Sequence, residues 1–226
     1  MIIRHTRLML AAILFLTVFV PFSVSAAENQ RYSSVRVGEF SHHTLSGWEE
    51  KDFAGKTEYQ LVKEGDRTIL HATAHATASG LFKEVEIDLI SHPYLNWEWR
   101  ADKLHPPLAE RTKAGDDYVA RIYVVVKGGL LFWKTRAINY VWASSEKRDS
   151  VWPNAFAGKN AMLLAVRSAA DKQGVWYREK RNVYEDLLAI FGEEIKTIHA
   201  VAIMTDSDNS KGSVAASYGD ITFTTD

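Results

Sequence analysis

From Arg31 onward the chain alternates apolar and polar residues with period two, in short runs broken by glycine, asparagine, aspartate and proline, the pattern of half-buried β-strands. Runs at 35–40 and 57–62 read as strands, and Lys63, Glu64, Gly65 and Asp66 turn the second into a run at 67–73, a hairpin. In 81–89, Leu81, Val85, Ile87 and Leu89 alternate with Glu84, Glu86 and Asp88, with Phe82 the one apolar residue on the polar side. In 94–100, Leu95, Trp97 and Trp99 share one face, while Asn96, Glu98 and Arg100 share the other. The longest run, 115–126, opens on an acidic loop mouth of Gly115, Asp116 and Asp117 and continues as a central strand. One of its faces is wholly apolar, from Tyr118 to Val126; the other carries Arg121 and Tyr123 in mid-strand.

Further strands are predicted at 136–143, 161–167, 175–180, 198–204 and 218–224. The near-continuous apolar run at 198–204 marks a strand buried on both faces. Residues 151–156 cannot form a central strand, because Pro153 cannot donate to a ladder; Trp152 and Phe156 there either cap the fold or face a ligand. One helix is predicted, over 183–191, with Asn182 as N-cap, Glu185 and Asp186 in the first turn and Gly192 as the stop. Many short strands, one short helix and no βα alternation predict an all-β fold, an antiparallel two-sheet sandwich of jelly-roll type, galactose-binding or concanavalin-like. Trp97 and Trp99, two positions apart, belong to its core, and Trp48 beside Gly47 plugs one end.

The first 26 residues carry a different pattern. Arg4 and Arg7 precede an apolar stretch from Leu8 to Val20, Pro21 breaks it, and Val24, Ser25 and Ala26 offer a small-residue cleavage site. This reads as a cleaved signal peptide over 1–26, with 27–226 a single sandwich domain, no membrane span after cleavage, and a periplasmic or secreted destination. A formal net charge of −1 and no cysteine among 226 residues argue against nucleic acid as a partner and exclude thiol chemistry and disulfides.

The residues Leu95 to Arg100, Gly115 to Tyr118 with Ala120 to Tyr123, Ile138 to Trp142, Arg181 with Asn182, Ala200 to Asp206 with Asp208 and Asn209, and Tyr218 to Ile221 together resemble the exported bacterial family catalogued as domain of unknown function 3047. The likeness covers nearly all of the chain after the leader and implies an exported β-sandwich. More loosely, the strand order and the closing Tyr-Gly-Asp-Ile strand are similar to carbohydrate-binding and galactose-binding jelly rolls.

Three groups of residues could carry function. Glu98, Arg100, Arg121, Tyr123 and Asn139, from three predicted strands, would converge on one concave face and bind a saccharide or other polar envelope ligand; the alternative is a buried Glu98–Arg121 ion pair that fixes register. Asp206, Asp208, Asn209 and Asp220 offer oxygens for a structural calcium, or serve as turn residues in a solvated loop; no other cofactor is expected. Glu98 paired with Asp117 or Asp206 could act as the two carboxylates of a glycan hydrolase or lyase. A module that recognises an envelope protein is the third functional alternative.

Overall fold

The computed structural model describes residues 34–128 and 135–226. The leader expected over 1–26 lies outside the described residues. The described chain forms two seven-stranded sheets. In the first, β1 (Ser34–Gly38), β14 (Ile221–Thr224), β6 (Tyr94–Lys103), β13 (Ser213–Tyr218), β4 (Arg67–His75) and β3 (Glu58–Glu64) lie in that order, and β11 (Tyr177–Asn182) also pairs with β6. The second runs β2 (Glu49–Ala54), β5 (Ala78–Asp88), β12 (Thr197–Asp206), β7 (Arg121–Val126), β8 (Arg136–Trp142), β10 (Gly158–Arg167) and β9 (Val151–Asn154). Among the described strands every pairing is antiparallel except that of β10 with β8, which is parallel. The helix α1 spans Val183–Phe191, with the Asn182 side chain accepting from the Glu185 N–H and Gly192 in the left-handed conformation at its end. The two-sheet sandwich and its single α-helix are thus as the periodicity predicts.

Alternation along β6 decides how the sheets face one another. Leu95, Trp97, Trp99 and Ala101 point into the core, so Asn96, Glu98, Arg100 and Asp102 must point out of the first sheet on the far side. The Trp97 ring lies 5.5 Å from Tyr140 of β8, and Trp99 lies 6.0 Å from Trp142. These rings bridge the two sheets, and at roughly 25 cal/mol per Å² of apolar area they hold the layers together. Trp48 packs on Phe40 at 5.9 Å, at the edge of the same cluster.

Three departures from the predicted elements have local causes. β2 is a strand although its sequence is Glu-Glu-Lys-Asp-Phe-Ala; it is an edge strand with exposed side chains, where charge is compatible with pairing and blocks association with another sheet. The strand predicted to follow the acidic loop mouth at 115–117 begins only at Arg121. Before it the chain is a loop that doubles back on itself: a Cβ on Gly115 would sit 2.5 Å from the Ala109 carbonyl, so only glycine permits the approach. The predicted closing strand starts at Tyr218, but the structure breaks there into β13 and β14. The intervening Gly219 donates its N–H to the Glu98 carbonyl at 2.9 Å. β9 carries Pro153 at the sheet edge, where a missing donor leaves no ladder partner wanting.

A second, smaller cluster of Tyr118, Val141, Ala143, Trp152, Leu163 and Ala165 lies apart from the main core. Because Tyr140 and Trp142 point inward, Val141 points outward, and Tyr118 covers it from the loop before β7. That loop therefore folds over one end of the outer face of the second sheet.

Candidate functional site

The rest of that outer face is open. It forms a cleft of about 550 Å³ that runs across β2, β5, β12, β7, β8 and β10. Its floor is small and apolar where strands cross, with Ala78 and Gly80 on β5, Ala202 on β12 and Ala161 on β10, so a bound molecule can approach the backbone closely. Larger side chains rise between them: Phe82, Tyr123 and Met204, with the Tyr123 hydroxyl directed to the Met204 sulfur at 3.4 Å. Phe53 of β2 and Phe156 of the β9–β10 turn stand at opposite rims, 70% and 58% exposed.

The end under the Tyr118 loop is polar and closed. Arg121 donates from Nε to Asp206 Oδ1 at 3.0 Å, from Nη2 to Asp206 Oδ2, and from Nη2 to the Asp116 carbonyl at 2.7 Å. Its guanidinium also lies 4.4 Å from the centre of the Tyr118 ring. Asp206 accepts the Tyr118 N–H at 3.1 Å as well. Asp117 accepts from Asn209 N at 3.1 Å, Asn209 Nδ2 at 3.0 Å and Ser210 N at 2.5 Å, which ties the loop after β12 to the loop before β7. Burial pushes the Asp206 carboxyl up to about 7 against the pull of Arg121, and raises Asp116 and Asp208 too. For Asp117, burial raises the carboxyl but the bonds from Ser210 and Asn209 outweigh it, so it sits below the ordinary carboxylate range.

The sequence-predicted residues divide between two faces. Arg121, Tyr123 and Asn139 line the cleft, and Asp206, Asp208 and Asn209, read from the sequence as a separate loop, line it too. Glu98 and Arg100 do not. β6 belongs to the first sheet, and with Trp97 and Trp99 turned inward both charges point away from the second sheet. Glu98 pairs there with Arg67 and with Arg178 at 3.5 Å; Arg100 pairs with Glu64 at 2.8 Å and with Asp102. The Glu98–Arg121 pair is therefore replaced by Arg121–Asp206, and Glu98 cannot share a substrate with Asp117 or Asp206. Asp220 also leaves the acidic group: it lies in the β13–β14 connection and accepts from Ser41 N at 2.8 Å and Ser41 Oγ at 2.5 Å.

The carboxylates that do gather are Asp117, Asp206 and Asp208, with one oxygen of each within 4.8 Å of the others. Two of the three fit a calcium ion poorly: calcium takes six to eight oxygens, and here N–H groups hold Asp117, Arg121 and the Tyr118 N–H hold Asp206, and Asp208 accepts from Asn209 Nδ2. Residues that the sequence reading did not place in a site are Phe53, Phe82, Met204 and Asn154, while Asp116, read with Asp117 as an acidic loop edge, lines the cleft. Phe82 had a signal, as the one apolar residue on the polar side of its run. Two acceptors in the cleft are unsatisfied: Asn139 Oδ1 and Asp116 Oδ1 have no hydrogen-bond partner, although Asn139 is 1% and Asp116 5% exposed.

The sequence profile of the family described as "Protein of unknown function (DUF3047)" matches residues 46–222. The chain belongs to that family. The match spans the strands that build both the cleft and the loops at its polar end. No curated protein matches the chain. Among solved structures it is similar to the family 11 carbohydrate-binding module of a cellulosomal cellulase of Clostridium thermocellum, at 6% identity and a TM-score of 0.45, over 85% of this chain and 94% of that one. The family 30 carbohydrate-binding module of another cellulosomal cellulase of the same organism is similar at 9% identity and a TM-score of 0.49, over 86% and 98%. The K1 cleaved adhesin domain of Lys-gingipain from Porphyromonas gingivalis is similar at 10% identity and a TM-score of 0.42, over 86% and 99%. No residue role passes from these proteins to this family member. Among the described residues no helix is long and apolar enough to cross a membrane.

Proposed function

We propose that this chain is an exported ligand-binding sandwich that holds a saccharide, or another polar envelope ligand, across the outer face of its second sheet. The observation that carries the reading is Asn139 Oδ1, a buried acceptor without a partner, on β8 opposite Tyr123 of β7 in the cleft. An unpaired buried acceptor costs about 1–3 kcal/mol, which a ligand hydroxyl would recover by donating to it. A sugar ring presents an apolar face to an aromatic ring and hydroxyls at its edge, and Tyr123 with Asn139 matches that division. Phe53 and Phe156 extend the surface: β2 and β10 are five strand steps apart, about 24 Å at roughly 4.8 Å per step, which suits an extended ligand. Export is supported by Arg4, Arg7 and the apolar stretch that follows them; N-terminal sequencing of the protein recovered from the periplasm or medium should give Ala27.

Glycan-array screening followed by titration of the best ligand tests the binding reading. Tyr123→Ala and Asn139→Ala should each weaken binding by about tenfold or more, the loss of one stacked ring or one buried hydrogen bond. Unchanged affinity in both variants removes the reading.

A further inference from the structure

The polar end of the cleft holds more negative charge than the protein neutralises. Asp116, Asp206 and Asp208 line it, and Asp117 lies against Asp206 and Asp208. Facing these four carboxylates is the guanidinium of Arg121, which is committed to Asp206 and lies 3.9 Å from Asp116. Lys51 and Lys113 lie instead over the rings of Phe82 and Phe156, at 3.8 and 5.2 Å. His105 donates from Nε2 to the Asp206 carbonyl at 2.9 Å, and burial lowers its pKa.

Within this group one buried oxygen has no partner. Asp117 is filled by three N–H donors, and Asp206 by Arg121 and the Tyr118 N–H. Asp208 Oδ1 accepts from Asn209 Nδ2 at 3.2 Å. Asp116 Oδ2 accepts from Asn154 Nδ2 at 2.8 Å, while Asp116 Oδ1 has no partner and the residue is 95% enclosed at the cleft wall. A hydroxyl would satisfy the hydrogen bond but leave the charge. An ammonium satisfies both, and a buried carboxylate is worth most to a partner that carries a full positive charge.

We propose that the ligand of this cleft carries a primary ammonium, which donates to Asp116 Oδ1 at the end of the cleft that Asp208 also lines, as an amine-bearing saccharide would. The inference rests on the saccharide reading for the body of the ligand but not for its amine. The apolar floor over Tyr123, Phe82 and Met204 takes the uncharged body, and the ammonium end lies toward Arg121 without displacing it from Asp206. Burial raises the carboxyls of Asp116 and Asp208, and the neighbouring Asp117 charge raises them further.

The test compares four probes on the purified protein by calorimetric titration: a tetramer of glucosamine, the same tetramer N-acetylated, cellotetraose, and 1,4-diaminobutane. The inference expects the glucosamine tetramer to bind at least about tenfold more tightly than its N-acetylated form, and Asp116→Asn to remove the difference. Because Asp116 is buried, Asp208→Asn serves as the second variant and should narrow the same gap in a protein whose melting temperature is unchanged. If diaminobutane binds and loses affinity in either variant while no oligosaccharide binds, the amine site stands and the saccharide reading falls. If the neutral tetramers bind as tightly as the charged one, the amine site falls and the saccharide reading stands. Binding of none of the four overturns the amine site.

Discussion

Arg121 of β7 and Asp206 of β12 form a two-pronged ion pair on the outward side of the second sheet, and both are buried there by the loop that carries Asp116, Asp117 and Tyr118. The pair fixes strand end, loop and cleft wall at once. Removing one partner strands the other, at a cost of about 3–5 kcal/mol. Arg121→Ala should therefore lower the urea midpoint sharply, whereas Arg121→Met combined with Asp206→Asn, which keeps an acceptor for the Tyr118 N–H, should recover most of the loss. A single variant as stable as the parent would contradict the pairing.

The same pair sets a pH dependence. Burial holds the folded Asp206 carboxyl at about 7, above the value of roughly 3.9 for an unfolded aspartate. The folded state then binds more protons than the unfolded one, so the Asp206 contribution to stability is fully present below about pH 4 and is lost as pH rises through about 7. Asp206→Asn should flatten that decline. Asp117 acts in the opposite sense: its folded carboxyl is depressed, so its contribution is present above the unfolded value and disappears as pH falls through the folded one. Denaturant titrations of both Asn variants across pH separate the two slopes.

Glu98 and Tyr123 serve as opposite controls. Glu98→Gln breaks the contacts to Arg67 and Arg178 on the first sheet, a cost of about 1 kcal/mol or less for partly exposed pairs, and should leave ligand affinity at the cleft unchanged. Tyr123→Ala should do the reverse, weakening the ligand with a smaller effect on the melting temperature than Arg121→Ala. A loss of ligand affinity in Glu98→Gln would argue that the binding face lies on the first sheet.

The gathered carboxylates invite a calcium test. Since Arg121 already supplies the cation at Asp206, and N–H groups saturate Asp117, millimolar calcium or a chelator should leave the melting temperature unchanged. A calcium-dependent rise would show that the loop rearranges to free its oxygens.

Much of this architecture was legible in the sequence, and its failures lie where local alternation carries no information. Period-two alternation identified β6, β5 and the inward tryptophans, and the Asn182 and Gly192 caps located the helix to the residue. Alternation says which side of a strand a residue takes, but not which sheet the strand joins. Glu98 and Arg121 each lie on the polar face of their strand, yet on opposite outer faces of the sandwich. Arg121 and Asp206 are 85 residues apart, and their meeting depends on β12 pairing with β7, a register that no local pattern encodes. Charged β2 escaped notice because edge strands do not need an apolar face, and the place of Asp116 in the cleft wall because a loop that folds over a sheet has no period at all.

The central claim is that ligand binds across the outer face of the second sheet, and mapping of amide and methyl NMR shifts during titration with the glucosamine tetramer tests it most directly. The account predicts that saturable perturbations concentrate at Tyr123, Asn139, Ala202 and Met204, with Asp116 and Asn154 at the polar end. Perturbations confined to Glu98, Arg178 and Thr222 on the first sheet, or none that saturate, would contradict it.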